Sequence, residues 1–476
     1  LKFFSPFKGK NPDSWPTNQT RIIAINEGRL VDFFLEHEKD FPELAAMVQQ
    51  GLAGKQPESG VSVINLNLRS VVSDAGDGNG SILKRLINRM THPEYWSACE
   101  ECDLKGKCYA YHNASTFQDP TAGPKITERL EKLYTITHLR GRLHITMRDL
   151  RSALAYMLVG TEDCDGIHQL YQNGGEASWN RILEGYYFNS WIAGYKENAD
   201  RLIKLLQEID VAQVSNPALD RELGFLSPDH KKMSRFNFGV RPTYDDELIG
   251  LLFNNLPRDF SLKRRNHHIS KHQNYLSYMR RKHFFECRDE EQWKAMLPYK
   301  TLDQFIDTIH SDYSNDESIK RILMAINHGE GLSNPDRLGL QLALRVRKVE
   351  KGTIRSYRLF DGNRFSFQSQ ARGIDHQFLE TFPQNIILHY DSGDGHTANL
   401  TIHLDVYEML MRLNDGYRPS VEEEEGFYLS LSVFKNILSA APYQEVLLTE
   451  SGYEFYQVRR QNDGVLQLNK SNRRAE

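Results

Sequence analysis

The stretch WSACEECDLKGKCYAYHNA at 96–114 holds three of the chain's five cysteines, Cys99, Cys102 and Cys108, in a C-x2-C-x5-C pattern. A C-x2-C pair makes a knuckle whose two thiolates face one ion, and a third thiolate returning within a short loop leaves a single corner of a tetrahedron to fill. His112 is near enough in sequence to fill it, giving a site of three cysteines and one histidine, while Cys164 in GTEDCDG would close a site of four cysteines. Zinc is the expected metal, and a site closed by four protein ligands is structural rather than catalytic. An iron–sulfur cluster draws on the same ligand type and stays an alternative. Cys287 in HFFECRDE reads as an ordinary half-buried thiol, and five cysteines are too few for a disulfide scaffold.

A second concentration of chemistry lies in SLKRRNHHISKHQNYLSYMRRKHFFE at 261–286. Residues 263–283 carry seven Lys or Arg, four His and no acid, in a chain whose formal charge is −4. Lys263, Arg264, Arg265, Lys271, Arg280, Arg281 and Lys282 are the candidates for phosphate contact with DNA or RNA, with Tyr275 and Tyr278 as stacking faces. The alternative is a basic helix face that pairs with acidic stretches such as DREL at 220–223. No motif for base readout accompanies it, and neither a G-x-S-x-G elbow nor an H-E-x-x-H helix occurs.

Two polar residues stand where a nucleotide site would need them. IIAIN at 22–26 is an apolar, β-branched run ending in Asn26, and an amide at the carboxyl end of a strand can hold a water or a phosphate oxygen. Asn26 as the N-cap of the following helix is the simpler reading. In ITMRDLRSAL at 145–154, Thr146 and Asp149 are spaced as a capping box, which puts Arg148 in the first helical turn. A cation is disfavoured at that end of the helix dipole, so a nearby anion is a reason to keep one there.

The elements that must position these residues follow from hydrophobic period. Residues 22–26 and VSVINLNLRSVV at 61–72 read as strands, with helices at 30–37 and 43–52 between them, a β-α-β order suited to a mostly parallel sheet. SDAGDGNG at 73–80 is a loop, and helices are expected at 82–92 and over 126–159, ending at Gly160. Residues 166–330 look mainly helical. After about 335 the period becomes two, with strands in LGLQLALRVRKV, TIRSYRLF, NIILHYD, EVLLTE and YEFYQVRR and helices at 405–415 and 427–440. The expected fold is therefore α/β followed by α+β. The expected segments are 1–75, a nucleotide-core part; 76–125, the cysteine insertion; 126–165, a helical lid; 166–334, a helical region with the basic segment; and 335–476, an α+β domain. No apolar run is long enough to span a membrane and no signal peptide opens the chain, so a cytoplasmic protein is expected. The chain begins at Leu1 rather than Met, which suggests a lost N-terminal part.

IIAINEG resembles the sensor-1 strand of AAA+ ATPases, and HITMRDLRSALAYML resembles their lid helix. Together with the cysteine cluster they resemble the large ATPases of prokaryotic anti-phage and DNA-restriction systems, the phosphorothioation-dependent restriction ATPase group among them. The resemblance covers residues 20–165 and is weak beyond. It implies ATP and Mg as ligands, Asn26 orienting the attacking water, Arg148 on the γ-phosphate, and Arg69 in NLNLRS reaching a neighbouring subunit's nucleotide. It also implies a homo-oligomer working with other subunits of a defence complex. Similar sequences in that group carry a cysteine after the lid and often an aromatic where His112 stands, which favours Cys164 as fourth ligand. The chain departs from the group in having no G-x-x-x-x-G-K-[ST] loop, so these residues alone are not expected to hydrolyse ATP. A non-enzymatic, zinc-stapled adaptor that binds nucleic acid and partner proteins is the competing expectation.

Overall fold

The computed structural model describes the chain except at 10, 53–59, 74–79, 143, 191–200, 215, 226–255, 257–264, 311–315, 331–338, 350–351, 369–381, 419–420, 441–444, 451–453, 462 and 471–476. For 222, 224–225, 265–270, 316, 339, 341, 343–349, 352 and 421–428 it describes the backbone alone. The described residues fall into two compact units, one made of residues in 1–82 with Phe382 and the other of residues in 83–368 and 383–476.

In the first unit, α1 (Glu27–Glu36) and α2 (Pro42–Leu52) form an aromatic core. Leu30 and Phe34, one turn apart on α1, pack with Phe41, Leu44, Ala45 and Val48, and Phe4, Phe7 and Trp15 close over them. The expected β-α-β order is not formed here. Residues 22–26 belong to no helix or sheet, and Ile22 is 89% exposed. Within 61–72 the chain instead makes a 3-10 turn at Leu66–Leu68. β-Branched residues favour extended backbone, but a strand also needs a neighbour to take its hydrogen bonds. Among the described residues 22–26 lack that neighbour and 61–72 makes only an isolated bridge at Arg69, while every strand pairing is antiparallel.

The second unit opens with a helical array. Its helices are α3 (Ile82–Met90), α4 (Tyr109–Gln118), α5 (Ala122–Leu139), α6 (Met147–Val159), α7 (Cys164–Asn173), α8 (Gly175–Gly185), α9 (Arg201–Glu208) and α10 (Pro217–Phe225). They are followed by α11 (Arg265–Glu286), α12 (Glu290–Lys294), α13 (Leu302–His310) and α14 (Asp316–Gly329). The expected capping box opens α6: Asp149 N donates to Thr146 Oγ1 at 3.2 Å, and Thr146 N donates to Asp149 Oδ2 at 3.0 Å. Gly160 ends α6 at φ 69°, a left-handed backbone that glycine adopts without strain.

Two antiparallel sheets complete the unit. One has the order β1-β2-β6-β7-β8, from Gly339–Val349, Gly352–Asp361, Glu445–Thr449, Tyr456–Arg460 and Leu466–Lys470. The other is β3-β4-β5, from Phe365–Gln368, Ile386–Asp391 and Thr397–Ile402, and its strands alternate buried and more exposed residues. Helix α15 (Leu404–Asn414) packs on α14 and is buried on almost every side, while α16 (Val421–Ala440) takes the four glutamates at 422–425 into its first turns.

Two carboxylates of α15 go into the interior with it, and each is matched. Asp405 accepts from Arg140 Nε at 3.2 Å, from Arg142 at 2.9 Å and from the Tyr299 hydroxyl. Glu408 accepts from Thr301 N at 3.0 Å, from Thr301 Oγ1 at 2.7 Å and from Arg412 at 3.2 Å. Glu208 adds a bond to Arg140 at 2.9 Å and to Arg142 at 3.0 Å. This network joins the α5–α6 turn to the C-terminal helix. No helix among the described residues is long and apolar enough to cross a membrane.

Candidate metal centre

The cysteine segment is a chain of tight turns. Residues Pro93–Glu101 are 3-10 helical, the Cys102 N–H closes the run on Cys99 O at 3.2 Å, and Cys108 N donates to Leu104 O at 2.8 Å before α4 begins. Lys105 pairs with Glu100 across the loop. Behind it α4 is fixed by one side chain. Asn113, fully buried, gives its amide hydrogens to Met157 O, Leu158 O and Gly185 O at 3.2, 3.0 and 2.8 Å and accepts from Tyr187 N at 2.9 Å. It thereby satisfies the carbonyls that the C-terminal ends of α6 and α8 leave without a helical partner. A Cβ at Gly185 would lie 2.5 Å from the Tyr109 ring, so this close approach requires glycine.

Because α4 clamps the end of α6, the next helix returns beside the cysteine loop. Asp163 caps α7 through Gly166 N at 2.8 Å. Cys164, His168 and Tyr171 are spaced i, i+4, i+7 and share one face. The Tyr171 hydroxyl donates to Lys107 O at 2.6 Å, so this face lies on the loop. Cys102 Sγ lies 3.5 Å from His168 Nε2, and Asp103 Oδ1 lies 3.8 Å from His168 Nδ1. Among the described residues, Cys102, Asp103 and His168 form a group whose ligand atoms are all within 4.8 Å of one another.

The electrostatics are those of gathered thiols. Burial, and then the neighbouring Cys164 and Cys102, push the Cys99 thiol above its ordinary value. Burial raises Cys108 too, against the opposing pull of backbone N–H groups, with Cys99 and Cys102 adding to the rise. Several thiolates cannot share a small volume without a cation among them, and a divalent ion removes that repulsion. Cys164 is thus near enough to Cys99 to act on its thiol, although the group of ligand atoms within 4.8 Å of one another holds Cys102 alone of the cysteines. His112 goes elsewhere: its ring stacks on Tyr187 and meets Tyr186 edge-on at 5.2 Å, and its Nε2 is 3.4 Å from Thr116 Oγ1. Sequence reasoning missed His168 and Asp103, although C-x3-H in CDGIH places two donors one helical turn apart.

Among the described residues the cations of the basic helix have protein partners. Arg280 makes a two-pronged pair with Asp220 at 2.6 and 2.7 Å, and Arg281, 7% exposed, pairs with Asp210. Lys282 meets Glu286 at 2.7 Å, Lys271 meets Glu176 at 2.8 Å, and Tyr275 and Tyr278 are buried. Arg280, Arg281 and Lys282 balance buried or half-buried carboxylates, Asp220 of the DREL stretch among them, while Lys271 and Glu176 form a more exposed pair. Arg265 opens α11 with its side chain outside the described residues, and Lys263 and Arg264 lie outside them altogether. Arg280→Gln is expected to cost about 1.5–3 kcal/mol, the worth of hydrogen bonds to a charged group. It should leave the salt dependence of any DNA or RNA binding unchanged; intact stability with a flatter salt slope would return Arg280 to the surface.

The three residues with expected nucleotide roles are placed as follows. Asn26 is the N-cap of α1, its Oδ1 accepting from Gly28 N at 3.0 Å and Arg29 N at 3.4 Å. Arg69 is half-buried just after the 3-10 turn, in an isolated β-bridge. Arg148 is exposed in the first turn of α6. Compared with protein-family models, with curated proteins and with solved structures, the chain matches none.

Proposed function

We propose that this chain is the sensor and lid part of an ATPase subunit, stapled by a structural metal and acting in an oligomer within a prokaryotic defence or DNA-handling complex. One observation carries the proposal. Ile22, Ile23 and Ile25 are 89, 43 and 40% exposed in a run outside any helix or strand that ends on Asn26, whose own backbone is extended, and such an apolar run gains from a sheet beside it. With that sheet in place, Asn26 stands at a strand's carboxyl end, where a nucleotide's phosphates belong. Arg148 supports the same function: the capping box already satisfies the start of α6, yet the cation is kept there, facing solvent, where an anion would pair with it.

The metal fits as a fastener. Its thiols come from the turn at 99–108 and from the first residue of α7, so an ion among them ties the helix after the lid to the insertion. Zinc suits this donor set and supplies cross-linking without redox chemistry. The same cluster, with Asn26 committed to capping, also favours a non-enzymatic metal-stapled scaffold.

One experiment separates the two. Hydrolysis needs a Gly-Lys-Ser or Gly-Lys-Thr loop that these residues lack, so turnover is measured on the complete natural protein. Asn26→Ala should leave ATP binding nearly intact and slow turnover by roughly ten- to a thousandfold. Arg148→Ala should weaken ATP binding itself, since the guanidinium meets the phosphate before reaction. If Asn26→Ala only lowers stability by about 1 kcal/mol and turnover holds, Asn26 is a cap and the scaffold stands.

A further inference from the structure

We propose that the metal is held by Cys99, Cys102, Cys164 and His168, three thiolates and one imidazole, in which His168 takes the corner that the spacing pattern assigns to Cys108. The inference rests on the metal-staple part of the function proposed above and names its ligands.

Distance is the first support. With Zn–S near 2.3 Å and Zn–N near 2.0–2.1 Å, two ligands of a tetrahedral ion lie about 3.5 Å apart along the edge. Cys102 Sγ and His168 Nε2 are 3.5 Å apart. That separation suits two corners of one coordination sphere. The second support is spacing. Cys99 and Cys102 form an x2 knuckle, and Cys164 and His168 form an x3 pair on one helical face, the two half-sites from which closed zinc sites are built. Cys102 and His168 already lie at one edge, and the second member of each pair, Cys99 and Cys164, lies outside their 4.8 Å group and would close on the ion; two such pairs fill a tetrahedron and leave Cys108 as a fifth donor.

The imidazole is also oriented as a ligand. Its Nε2 faces the thiol while Nδ1 faces Asp103 Oδ1 at 3.8 Å. A metal-bound histidine commonly turns its second nitrogen to a carboxylate, which fixes the tautomer and strengthens the donor. Tyr171, one turn beyond His168, holds this face of α7 to the loop through Lys107 O, so the geometry does not depend on the ion alone. A neutral imidazole in place of a fourth thiolate also lowers the site's negative charge by one, which favours a place where several thiols already repel one another.

Cobalt(II) reads the donor set directly. Imidazole is a stronger-field ligand than thiolate, so a tetrahedral site of three sulfurs and one nitrogen absorbs at shorter wavelength than an all-sulfur site. The full chain loaded with Co2+ should show the mixed sulfur–nitrogen envelope without any substitution, and His168→Cys should move it to longer wavelength at unchanged stoichiometry. His168→Gln should weaken Co2+ binding by more than the roughly 10- to 100-fold that losing an outer partner costs, and Asp103→Asn should fall within that range. Cys108→Ser should change neither spectrum nor affinity. An all-sulfur envelope in the unsubstituted protein, or loss of binding in Cys108→Ser with retention in His168→Gln, overturns the assignment and leaves a four-cysteine staple. Failure of the unsubstituted protein to bind Co2+ or Zn2+ removes the staple itself.

Discussion

Cys102→Ser is expected to strip the metal, from about one ion per chain to almost none, and to open the cysteine loop. Cys102 is the shared neighbour of the site: its sulfur lies beside His168, and its charge acts on both Cys99 and Cys108. Serine offers a weak, protonated donor where a thiolate is needed. In small zinc-dependent folds the ion contributes about 10–16 kcal/mol of apparent binding energy, and binding there is folding. The larger cores of this chain make the loss local. Amide exchange should quicken through 96–108 and the first turn of α7, while Asn113 and the helix ends it holds stay protected. Metal analysis that finds neither zinc nor iron in the unsubstituted protein, or the same metal content in the variant, would rule the centre out.

Asp405→Ala should destabilise the second unit by about 3–5 kcal/mol, as expected when one partner of a buried ion network is removed. The carboxylate is 9% exposed and Arg140 is 8% exposed, so water cannot replace what is lost. Arg140 already has one buried nitrogen, NH1, without a partner, and loses its Nε acceptor as well. Burial and the charge of Asp405 both hold the Tyr299 hydroxyl protonated, and that donor is orphaned too. Urea unfolding followed by far-ultraviolet circular dichroism measures the cost. A loss below about 1 kcal/mol would mean that the network behaves as a surface pair.

Local signals were the legible ones. Thr146, Asp149 and Gly160 bound α6 as their types require, because caps act within a few residues. The change to a period of two after 335 locates β1, β2, β4, β6 and β7, while β3, β5 and β8 were not marked out by it. IIAIN shows the converse failure: its composition favours a strand, but composition cannot supply a neighbour. The metal-like spacing of Cys99, Cys102 and Cys108 was visible, whereas His168 is brought to Cys102 by the α4 clamp on α6, a tertiary contact with no local signature. The partners of the basic run were hidden for the same reason. Charge is read from sequence directly, but its partners Asp210 and Asp220 lie 71 and 60 residues away from Arg281 and Arg280.

The pairing of Arg140 with Asp405 sets an order on how the chain can mature. A ribosome delivers the arginine first, and its carboxylate partner follows 265 residues later. Until then the α5–α6 turn has Glu208 as a partial counter-ion but no acid to occupy the interior beside it. The helical array made early in synthesis is thus held short of completion by its own unburied cation, and the last helices finish it. Shortened products that stop before α15 would keep α5 and α6 yet lack the acid that lets them close, a state that quality-control proteases and chaperones recognise by its open apolar faces.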